Sequence, residues 1–410
     1  MKEVRKIFNI SSKNKVKKKK EDSQFSLLEL IVITIAFSAI CSIGTGYLVN
    51  YFTKTNILED KELRDITDTY EKIMKEYYEE VNESDLANAA INGMMTYLDE
   101  NYSIHLNDEE TNDLEEKLKG NYDGIGIEVG MISSQVIITR VFDGTPASKA
   151  GIKAGDIIID IEGVDVTNGQ SLEEVVGLIK GKKEIILTVK RDKKEKSFIV
   201  KVENIDIPVV STKVFENEDD KIGYLYLETF SSNAKDQVKD GLAKLEKENI
   251  NSLIIDLRGN TGGYLNTCKD IASLFLKKNK TIYSLESKDD KTHVVDTTNE
   301  HYDLPIVVLI DGATASASEI LAAALKESYG AILVGTKSYG KGKVQQTNKL
   351  SDDTMIKYTT AKWFTPNGDS IDGVGLEPGI TVELSLDYFK YLTDEYDNQL
   401  QKAIEILANN

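Results

Sequence analysis

Three short apolar runs in the second half of the chain are the feature that most constrains its fold. Each run contains almost no polar residue, and helical periodicity separates one run from the next. Strands buried on both faces have this composition, which is typical of parallel sheets covered by helices. The runs therefore predict an α/β core. Its expected strands are Ser252–Leu257, Pro305–Ile310 and Ala331–Gly335, and its expected helices are Ser232–Lys247, Leu265–Lys277 and Ser318–Tyr329.

A candidate nucleophile follows the second of these strands. Ser316 stands between two alanines where the strand Pro305–Ile310 is expected to turn into a helix. Small neighbours leave its hydroxyl accessible, and the free N–H groups of a helix start can stabilise an oxyanion. A serine in this position more often serves only as a helix cap. The sequence context therefore makes Ser316 a candidate that needs a partner base.

Histidine does not supply that base. The chain has three histidines, and none lies in a catalytic sequence context. Lys341, between two glycines, is the best-placed alternative, provided that burial lowers its pKa from the free value of about 10.4. The amide of Gln345, four residues further on, is placed to orient the lysine amine. The structural alternative for Lys341 is a solvated loop residue.

A glycine-rich turn follows the first strand. Its sequence, Asp256-Leu-Arg-Gly-Asn-Thr-Gly-Gly263, leads into a helix. Glycines allow backbone N–H groups to point at a developing oxyanion. Such a turn standing alone is most often structural, so its meaning depends on the neighbouring clusters.

A β-rich segment over residues 121–204 precedes the core, and its glycines occur in a fixed order. The ordered features are Gly124-Ile-Gly-Ile127, Pro146-Ala-Ser-Lys-Ala-Gly-Ile152, Gly155–Gly163, a helix at Ser171–Lys180 and a hairpin of Glu184–Arg191 with Lys196–Val202. This set resembles a PDZ domain. The alternative is an unrelated small β-domain with a glycine turn.

The PDZ resemblance implies a peptide-binding site. Gly124, Ile125, Gly126 and Ile127 would present N–H groups to a peptide carboxylate, and the peptide would add to the sheet as a further strand. Lys180, at the end of the second helix of this domain, is a further candidate contact.

The N-terminal residues carry a charge opposite to that of the remaining chain. The net charge is −18, but residues 1–24 hold nine Lys or Arg against three acids, which gives +6 there and −24 elsewhere. An acidic body excludes a nucleic-acid groove, which needs a basic face. Residues 27–51 are apolar apart from Glu29, and about 20 apolar residues span a bilayer.

The positive-inside rule predicts how this segment is oriented. Residues 1–24 are expected to be a cytoplasmic tail, residues 25–51 a single transmembrane anchor in the cell membrane, and the protease domain extracytoplasmic. A cleaved signal peptide is the alternative, since Ser38-Ala-Ile and Ser42-Ile-Gly resemble weak cleavage sites. The single cysteine beyond the anchor, Cys268, excludes a disulfide within the exported part.

Residues 52–120 have helical periodicity and predict a helical arm. Apolar spacing indicates a first helix over residues 60–81, Ser84 or Asp85 is expected to cap a second, and a third is expected at Asn107–Lys119. An amphipathic arm of this kind usually provides a packing or oligomerisation surface.

Three core motifs together resemble the carboxy-terminal processing (tail-specific) protease family. They are Asp-Leu-Arg-Gly-Asn-Thr-Gly-Gly, Thr-Ala-Ser-Ala-Ser-Glu-Ile and Tyr-Gly-Lys-Gly-Lys-Val-Gln, and the resemblance extends over residues 60–407. It implies a Ser/Lys endopeptidase with a crotonase-like α/β core that cuts proteins near their C-termini. It places the nucleophile at Ser316, the base at Lys341, the lysine-orienting amide at Gln345, and the oxyanion donors at Gly262 and Ala317.

The chain departs from the family at one position of the PDZ segment. Members often carry arginine before a glycine at the end of the second PDZ helix, where this chain has Lys180-Gly181. Lysine keeps the charge but lacks the bidentate fork of arginine. The strength of PDZ gating is therefore left open.

These observations divide the chain into six parts and predict its partners. The expected partners are protein substrates with apolar C-terminal tails, the membrane through the N-terminal helix, and a second copy in a homodimer. No nucleic acid, metal or cofactor is expected, and the alternative function is a catalytically idle PDZ scaffold at the membrane. The parts are a basic tail (1–24), a transmembrane anchor (25–51), a helical arm (52–120), a PDZ domain (121–204), an α/β protease core (205–386) and a C-terminal helix (387–410).

Overall fold

The computed structural model describes residues 61–217, 220–299, 301–351 and 353–408. The predicted cytoplasmic tail and transmembrane anchor lie outside these ranges. Among the described helices, none combines the length and the apolar character that crossing a bilayer requires. The chain divides into two compact units, and the boundary along the sequence lies between Ala90 and Ile91.

The described part of the first unit, residues 61–90, is mostly helical. It contains α1 (Lys61–Glu76) and the beginning of α2 (Glu83–Tyr97), which continues into the second unit. The first helix ends five residues before its predicted end at Val81. The side chain of Asn82 accepts a hydrogen bond from the N–H of Asp85 at 3.1 Å, so Asn82 is the cap, and the predicted caps Ser84 and Asp85 lie two and three residues later.

The predicted helical arm is not one body, because its last part belongs to the second unit. That part comprises β1 (Ile104–Leu106) and α3 (Asp108–Lys119). The third helix begins as predicted. Oδ1 of Asn107 accepts the N–H of Glu110 at 2.9 Å, and the carboxylate of Glu110 accepts the N–H of Asn107 at 3.0 Å. It ends at Gly120, whose φ of 72° suits glycine.

The segment predicted as a PDZ domain forms an antiparallel sheet with two short helices. The predicted strand over residues 124–130 is interrupted, because Gly126, with a φ of 85°, separates two strands. The elements are β2 (Asn121–Gly124), β3 (Ile127–Ile132), β4 (Gln135–Val141), α4 (Pro146–Ala150), β5 (Ile157–Ile161), β6 (Val164–Asp165), α5 (Leu172–Gly177), β7 (Glu184–Arg191), β8 (Lys194–Lys201) and β9 (Glu203–Asp206). The sheet order is β3-β4-β5-β7-β8 with β6 beside β5, while β2 pairs with β9.

The predicted α/β core is present and contains two sheets. Its first half comprises β10 (Val210–Asn217), β11 (Asp220–Leu227), α6 (Ala234–Lys247), β12 (Ser252–Asp256), α7 (Leu265–Ala272), β13 (Thr281–Ser287) and β14 (Lys291–Val295). Its second half comprises β15 (Ile306–Ile310), α8 (Ala317–Ala324), β16 (Ile332–Gly335), β17 (Lys343–Lys349), β18 (Met355–Phe364), β19 (Ile380–Thr381), α9 (Leu386–Tyr391) and α10 (Asn398–Ala408).

The larger sheet has the order β10-β11-β12-β15-β16-β19 and is parallel except for the β10–β11 pair. Both β12 and β15 are buried along their whole length, as their apolar sequences predict. Helices α6, α7 and α8 pack in one cluster with this sheet, and α10 packs in another through Leu400, Ala403 and Leu407. The sheet is therefore covered on both faces.

The second sheet has the order β1-β18-β13-β14, and β17 also pairs with β18. All of its pairs are antiparallel. Two helices also differ from prediction. The helix after β15 ends in a π-helical turn at Leu325–Tyr329. The segment predicted as one C-terminal helix, residues 387–410, contains most of α9, a 3₁₀ turn at Asp394–Tyr396 and α10.

A buried ion-pair network joins the C-terminal helix to the end of β12. Arg258 donates to Asp256 at 2.6 Å and to Asp397, just before α10, at 2.8 Å. The side chains of both aspartates are almost completely buried. Because buried charges need partners, this network fixes the chain that leaves β12 and enters the glycine-rich turn.

Candidate active site

The candidate nucleophile lies at a sharp turn between a buried strand and a helix. Strand β15 ends at Ile310, and Ser316 directly precedes α8. Ser316 has φ 58° and ψ −118°, which is strained for a residue with a side chain. Its neighbours Ala315 and Ala317 are buried, whereas Ser316 is half-buried. The turn therefore leaves the serine partly open to solvent.

One buried carboxylate holds this turn and the lysine-bearing loop together. Glu319, in the first turn of α8, is completely buried. Its Oε2 atom accepts the backbone N–H groups of Ser316 at 2.8 Å and Lys341 at 2.9 Å. Its Oε1 atom accepts the N–H of Gly340 at 2.7 Å and the hydroxyl of Ser338. The main chains at the predicted nucleophile and base therefore share one acceptor group.

The side chain of Lys341 points to an aromatic ring. This half-buried residue lies in the loop between β16 and β17, and its Nζ atom is 4.7 Å from the centroid of the Tyr102 ring. The contact has cation–π geometry. Within the ranges that the structure covers, no hydrogen bond joins Lys341 Nζ to the hydroxyl of Ser316. The two predicted catalytic side chains are thus near one carboxylate but are not bonded to each other.

The environment of Lys341 favours its neutral form. Burial lowers the pKa of its ammonium group below the ordinary value, and the positive charge of Lys357 lowers this pKa further. The carboxylates of Glu319 and Glu100 act in the opposite direction. A lysine must be neutral to accept a proton, so a lowered pKa suits the role of a base.

Gln345 lies on β17 and is engaged by the neighbouring strand. Its Nε2 atom donates to Oγ1 of Thr359 at 3.2 Å, and the N–H of Thr359 donates to Oγ of Ser103 at 3.1 Å. No hydrogen bond between Gln345 and Lys341 occurs in the described part of the chain. The structure therefore places the predicted orienting amide on the strand that follows the lysine loop, but with a different partner.

The glycine-rich turn after β12 lies directly against the nucleophile. Gly262 has a φ of 109°, and a Cβ atom there would be 3.0 Å from Cβ of Ser316 and 3.2 Å from N of Ala317. As the first residue of α8, Ala317 has no acceptor for its N–H within the helix. The N–H of Gly262, in contrast, donates to Oδ1 of Asn260 at 2.9 Å. Of the two predicted oxyanion donors, Gly262 is therefore already engaged.

Asn260 connects the glycine-rich turn to the nucleophile turn and to the sheet. It is completely buried, and its carbonyl accepts the N–H of Ala315 at 3.0 Å and the hydroxyl of Ser318 at 2.9 Å. Its Nδ2 atom donates to the carbonyl of Leu227 at 2.8 Å. These bonds fix the predicted oxyanion turn relative to Ser316.

A small apolar pocket of about 80 Å³ lies beside the edge strand of the predicted PDZ domain. Gly124, Ile125, Ile127 and Lys180, four of the five predicted peptide contacts, line it. Gly126 is the fifth, and its positive φ turns the chain from β2 into β3. The pocket has room for one apolar side chain, and among the described strands β3 pairs only with β4, which leaves its other edge available to a peptide.

The functional importance of Glu319 was missed by sequence reasoning, although the sequence contains a signal for it. Glu319 is the single charged residue of α8, whose sequence is Ala-Ser-Glu-Ile-Leu-Ala-Ala-Ala. A charge in an otherwise apolar helix requires buried partners. Tyr102 and Asn260 carry no comparable signal, because their partners at the site are distant in sequence.

Three family models match the chain. The model of peptidase family S41 matches residues 221–382, and the PDZ-domain model matches residues 124–202. A model described as the N-terminal domain of the activating protease CtpB matches residues 49–111. The matches follow one another along the chain in the order that the sequence predicted.

Curated relatives cover most of the chain. Two staphylococcal proteins are each described as "Probable CtpA-like serine protease". The one from Staphylococcus haemolyticus (strain JCSC1435) is 33% identical over 376 residues, covering 90% of this chain and 74% of the relative. The one from Staphylococcus aureus (strain MRSA252) is 32% identical over 367 residues, covering 88% and 73%.

Among solved structures, an S41 protease from Bacteroides fragilis NCTC 9343 has a TM-score of 0.52 at 16% identity. The match covers 82% of this chain and 91% of the other, and at this identity it supports the fold alone.

The extent of these matches defines the class of the molecule, a serine peptidase with a PDZ domain. The chain belongs to peptidase family S41, among the CtpA-like serine proteases. The resemblance inferred from the three core motifs is confirmed, and the alternative of a catalytically idle scaffold loses its support.

Replacing Glu319 by glutamine tests whether its carboxylate organises the site. An amide keeps the volume but places an NH₂ group against backbone donors that need an acceptor. Leaving buried donors unsatisfied costs about 1–3 kcal/mol each, so we expect kcat/KM to fall by at least about ten-fold. The measurement is cleavage of an internally quenched peptide that ends in apolar residues, with circular dichroism to verify folding. Glu327→Gln, beyond the site on the following π-helical turn, is the control, and a folded Glu319→Gln variant with normal kcat/KM would contradict this role.

The Lys357→Gln substitution tests the electrostatic environment of Lys341. Removing this positive charge should raise the pKa of Lys341, because Lys357 is one of the causes that lower it. A lysine that acts as the general base must be neutral, so in that role the acid limb of kcat/KM against pH should move to higher pH. Lys362→Gln, an exposed position on the same strand, should leave the profile unchanged. An unshifted limb, or a shift to lower pH, in Lys357→Gln would exclude the assignment of this limb to Lys341.

Proposed function

We propose that this peptidase cleaves proteins near their C-termini with Ser316 as nucleophile and Lys341 as general base. The observation that carries the proposal is that the backbone N–H groups of both residues donate to one buried carboxylate, Glu319. This arrangement keeps a strained, partly open serine and a desolvated lysine on adjoining loops. No histidine is needed for this chemistry.

The proposed reaction proceeds through an acyl-enzyme. The hydroxyl of Ser316 attacks the scissile carbonyl carbon while its proton passes to the neutral amine of Lys341. The resulting oxyanion receives hydrogen bonds from the N–H groups of Ala317 and Gly262. The C–N bond then breaks as the lysine gives its proton to the leaving amine, which leaves an ester on Ser316. The same lysine deprotonates a water molecule that attacks this ester, and it returns the proton to the Ser316 oxygen as the acid product leaves.

Two rearrangements accompany this mechanism. The Nζ atom of Lys341 must leave the ring of Tyr102 and come within about 2.6–3.2 Å of the Ser316 hydroxyl. In the same state, the N–H of Gly262 must turn from Asn260 towards the substrate oxyanion, and the amide of Gln345 is proposed to hold the lysine amine. Catalytic hydrogen bonds often form only in the substrate complex, which is consistent with their absence from the free enzyme.

We assign selection of the substrate tail to the PDZ pocket. A C-terminal carboxylate would bind near Gly124–Ile127, and the last apolar side chain would enter the pocket beside β3. Binding can activate the enzyme only if the tail has a higher affinity for the active state than for the resting state.

The proposal includes the membrane anchor, an extracytoplasmic protease domain and a homodimer. The charge step before residues 25–51 supports the orientation. Exposed apolar side chains of α1, including Leu63, Ile66 and Met74, support a subunit contact through the helical arm.

The dyad is tested by Ser316→Ala and Lys341→Ala. Each substitution should abolish cleavage of the quenched peptide while folding and tail binding persist, because the two residues act in one proton transfer. The double variant should be little slower than either single variant, since groups that act as a unit are not additive. Wild-type activity should rise with pH as Lys341 loses its proton. Turnover by Lys341→Ala near neutral pH, or activity that falls as pH rises through this range, would exclude lysine as the base.

The proposed topology is tested with protease added to intact cells that express the chain with a tag at either end. A tag after Asn410 should be degraded, and a tag before Met1 should be protected, because the basic tail is held in the cytoplasm. A lysed sample, in which both tags are degraded, is the control. Degradation of only the N-terminal tag would show that the orientation is the opposite of the proposed one.

A further inference from the structure

The cation at the mouth of the PDZ pocket is already paired with a carboxylate from outside the PDZ domain. Nζ of Lys180 lies 2.9 Å from Oε1 of Glu116, which belongs to α3. Both residues line the same pocket as the backbone of Gly124 and Ile125. Glu116 therefore forms an ion pair with the same lysine that a bound peptide carboxylate would approach.

The C-terminal end of α3 is bonded to the chain that supports the oxyanion turn. The carbonyls of Leu118 and Gly120 accept the N–H of Ser232 at 2.9 Å and Nδ2 of Asn233 at 2.7 Å, respectively. Two residues before Ser232, the N–H of Phe230 donates to the carbonyl of Gly262 at 3.0 Å. A short path of backbone bonds thus leads from α3 to Gly262.

The segment that precedes α3 contacts the lysine side of the site. Nζ of Lys343 lies 2.8 Å from Glu100, and Lys341 lies over the ring of Tyr102. Although burial opposes it, hydrogen bonds from Lys343 and Ser103 lower the pKa of Glu100 to about 2. Strand β1 then pairs with β18, which carries the partner of Gln345.

The electrostatics of Tyr102 suit a resting position for the lysine. Burial and the neighbouring Tyr339 hydroxyl raise the pKa of Tyr102 to about 12, so its ring is neutral at physiological pH. A neutral aromatic face attracts the ammonium form of Lys341, which is inactive as a base. The segment Glu100–Gly120 thus touches the PDZ pocket and the base, and it is linked to the oxyanion turn through the chain between Phe230 and Asn233.

We propose that Glu116 is an internal competitor for the substrate carboxylate, and that segment 100–120 is a positioning element which couples its displacement to Lys341 and Gly262. In the resting enzyme, the Glu116–Lys180 pair holds α3 against the pocket, and Tyr102 holds the lysine. The carboxylate of a substrate tail replaces Glu116 as the partner of Lys180, and α3 is no longer held by this ion pair. This inference rests on the proposed Ser/Lys peptidase activity and on tail binding at the PDZ pocket.

The strength of the pair suits displacement. Both side chains are about half exposed, at 51% and 42%, and exposed pairs contribute little net free energy. A tail that also buries an apolar side chain can therefore replace Glu116. Because lysine lacks the fork of arginine, it cannot hold both carboxylates in bidentate contacts at once.

Tail binding is the first measurement. The full-length chain with Ser316→Ala, purified in detergent, is titrated with one apolar peptide that has either a free carboxylate or an amide at its C-terminus. Glu116→Gln should tighten binding of the free carboxylate about two- to five-fold, and should leave binding of the amide unchanged. Glu115→Gln is the matched control, because Glu115 is adjacent on α3 but pairs with Lys119 within the helix. It should change neither affinity.

Basal cleavage is the second measurement, and it uses the amidated peptide with Ser316 intact. Glu116→Gln should raise kcat for this tail-deficient substrate several-fold, because α3 is released without a carboxylate. It should also lower KM for the free-carboxylate substrate. Loss of a purely structural contact would not raise kcat for the amidated peptide while lowering KM for the free-carboxylate peptide. The Glu116→Gln effect on tail affinity should vanish when Lys180→Gln is also present, since the competitor then has no cation to occupy.

The outcomes separate this inference from the function on which it rests. If the unaltered chain neither cleaves the peptide nor prefers the free carboxylate, the proposed function fails, and this inference falls with it. If cleavage and carboxylate preference are normal but Glu116→Gln behaves like Glu115→Gln in both assays, the coupling role alone is wrong. An equal gain for both peptides would likewise overturn it, because competition for a carboxylate predicts a difference.

Discussion

The buried carboxylate of Glu319 is the constraint on which the rest of the catalytic region depends. An ionised group without access to water must have its oxygens occupied by donors. Glu319 achieves this with four donors, three of them backbone N–H groups from the Ser316 and Lys341 segments. Main-chain donors cannot be moved without moving the loops that carry them. The requirement to satisfy one charge thus fixes the position of one loop relative to the other.

This arrangement explains why the site lies where the two sheets of the core approach each other. The parallel sheet supplies the strained serine and the oxyanion turn at the ends of β15 and β12, whereas the lysine loop connects that sheet to the antiparallel one. A catalytic centre shared between two sheets is sensitive to any element that contacts both. Segment 100–120 is such an element, since β1 pairs with β18 and the end of α3 is bonded to Ser232 and Asn233. The proposed coupling of the PDZ pocket to the site therefore needs only the contacts of this segment.

The sequence predicted those features that depend on local pattern. The buried strands β12 and β15 were predicted because two-sided burial requires unbroken apolar runs, and the family was recognised because each of its three motifs is a short continuous run of residues. The antiparallel sheet was not predicted, since β18 mixes buried and half-exposed residues and pairs with β1 about 250 residues away. The same reason explains Gln345, whose bond to Thr359 depends on strand register, and Asn260, whose Nδ2 atom donates to the carbonyl of Leu227 at the end of β11. Contacts between residues that are distant in sequence produce no local sequence pattern from which they could be predicted.

The backbone of Ser316 also has an evolutionary consequence. A residue with a side chain held at φ 58° and ψ −118° carries strain of about 1–3 kcal/mol. Glycine adopts such a conformation without strain, and its entropic disadvantage is only about 0.5–1 kcal/mol. A gene copy in which glycine replaced this serine would therefore encode a protein that is inactive but at least as stable as the enzyme. Duplicated copies of this fold can drift towards non-catalytic roles without losing stability, so the serine persists only where selection acts on proteolysis itself.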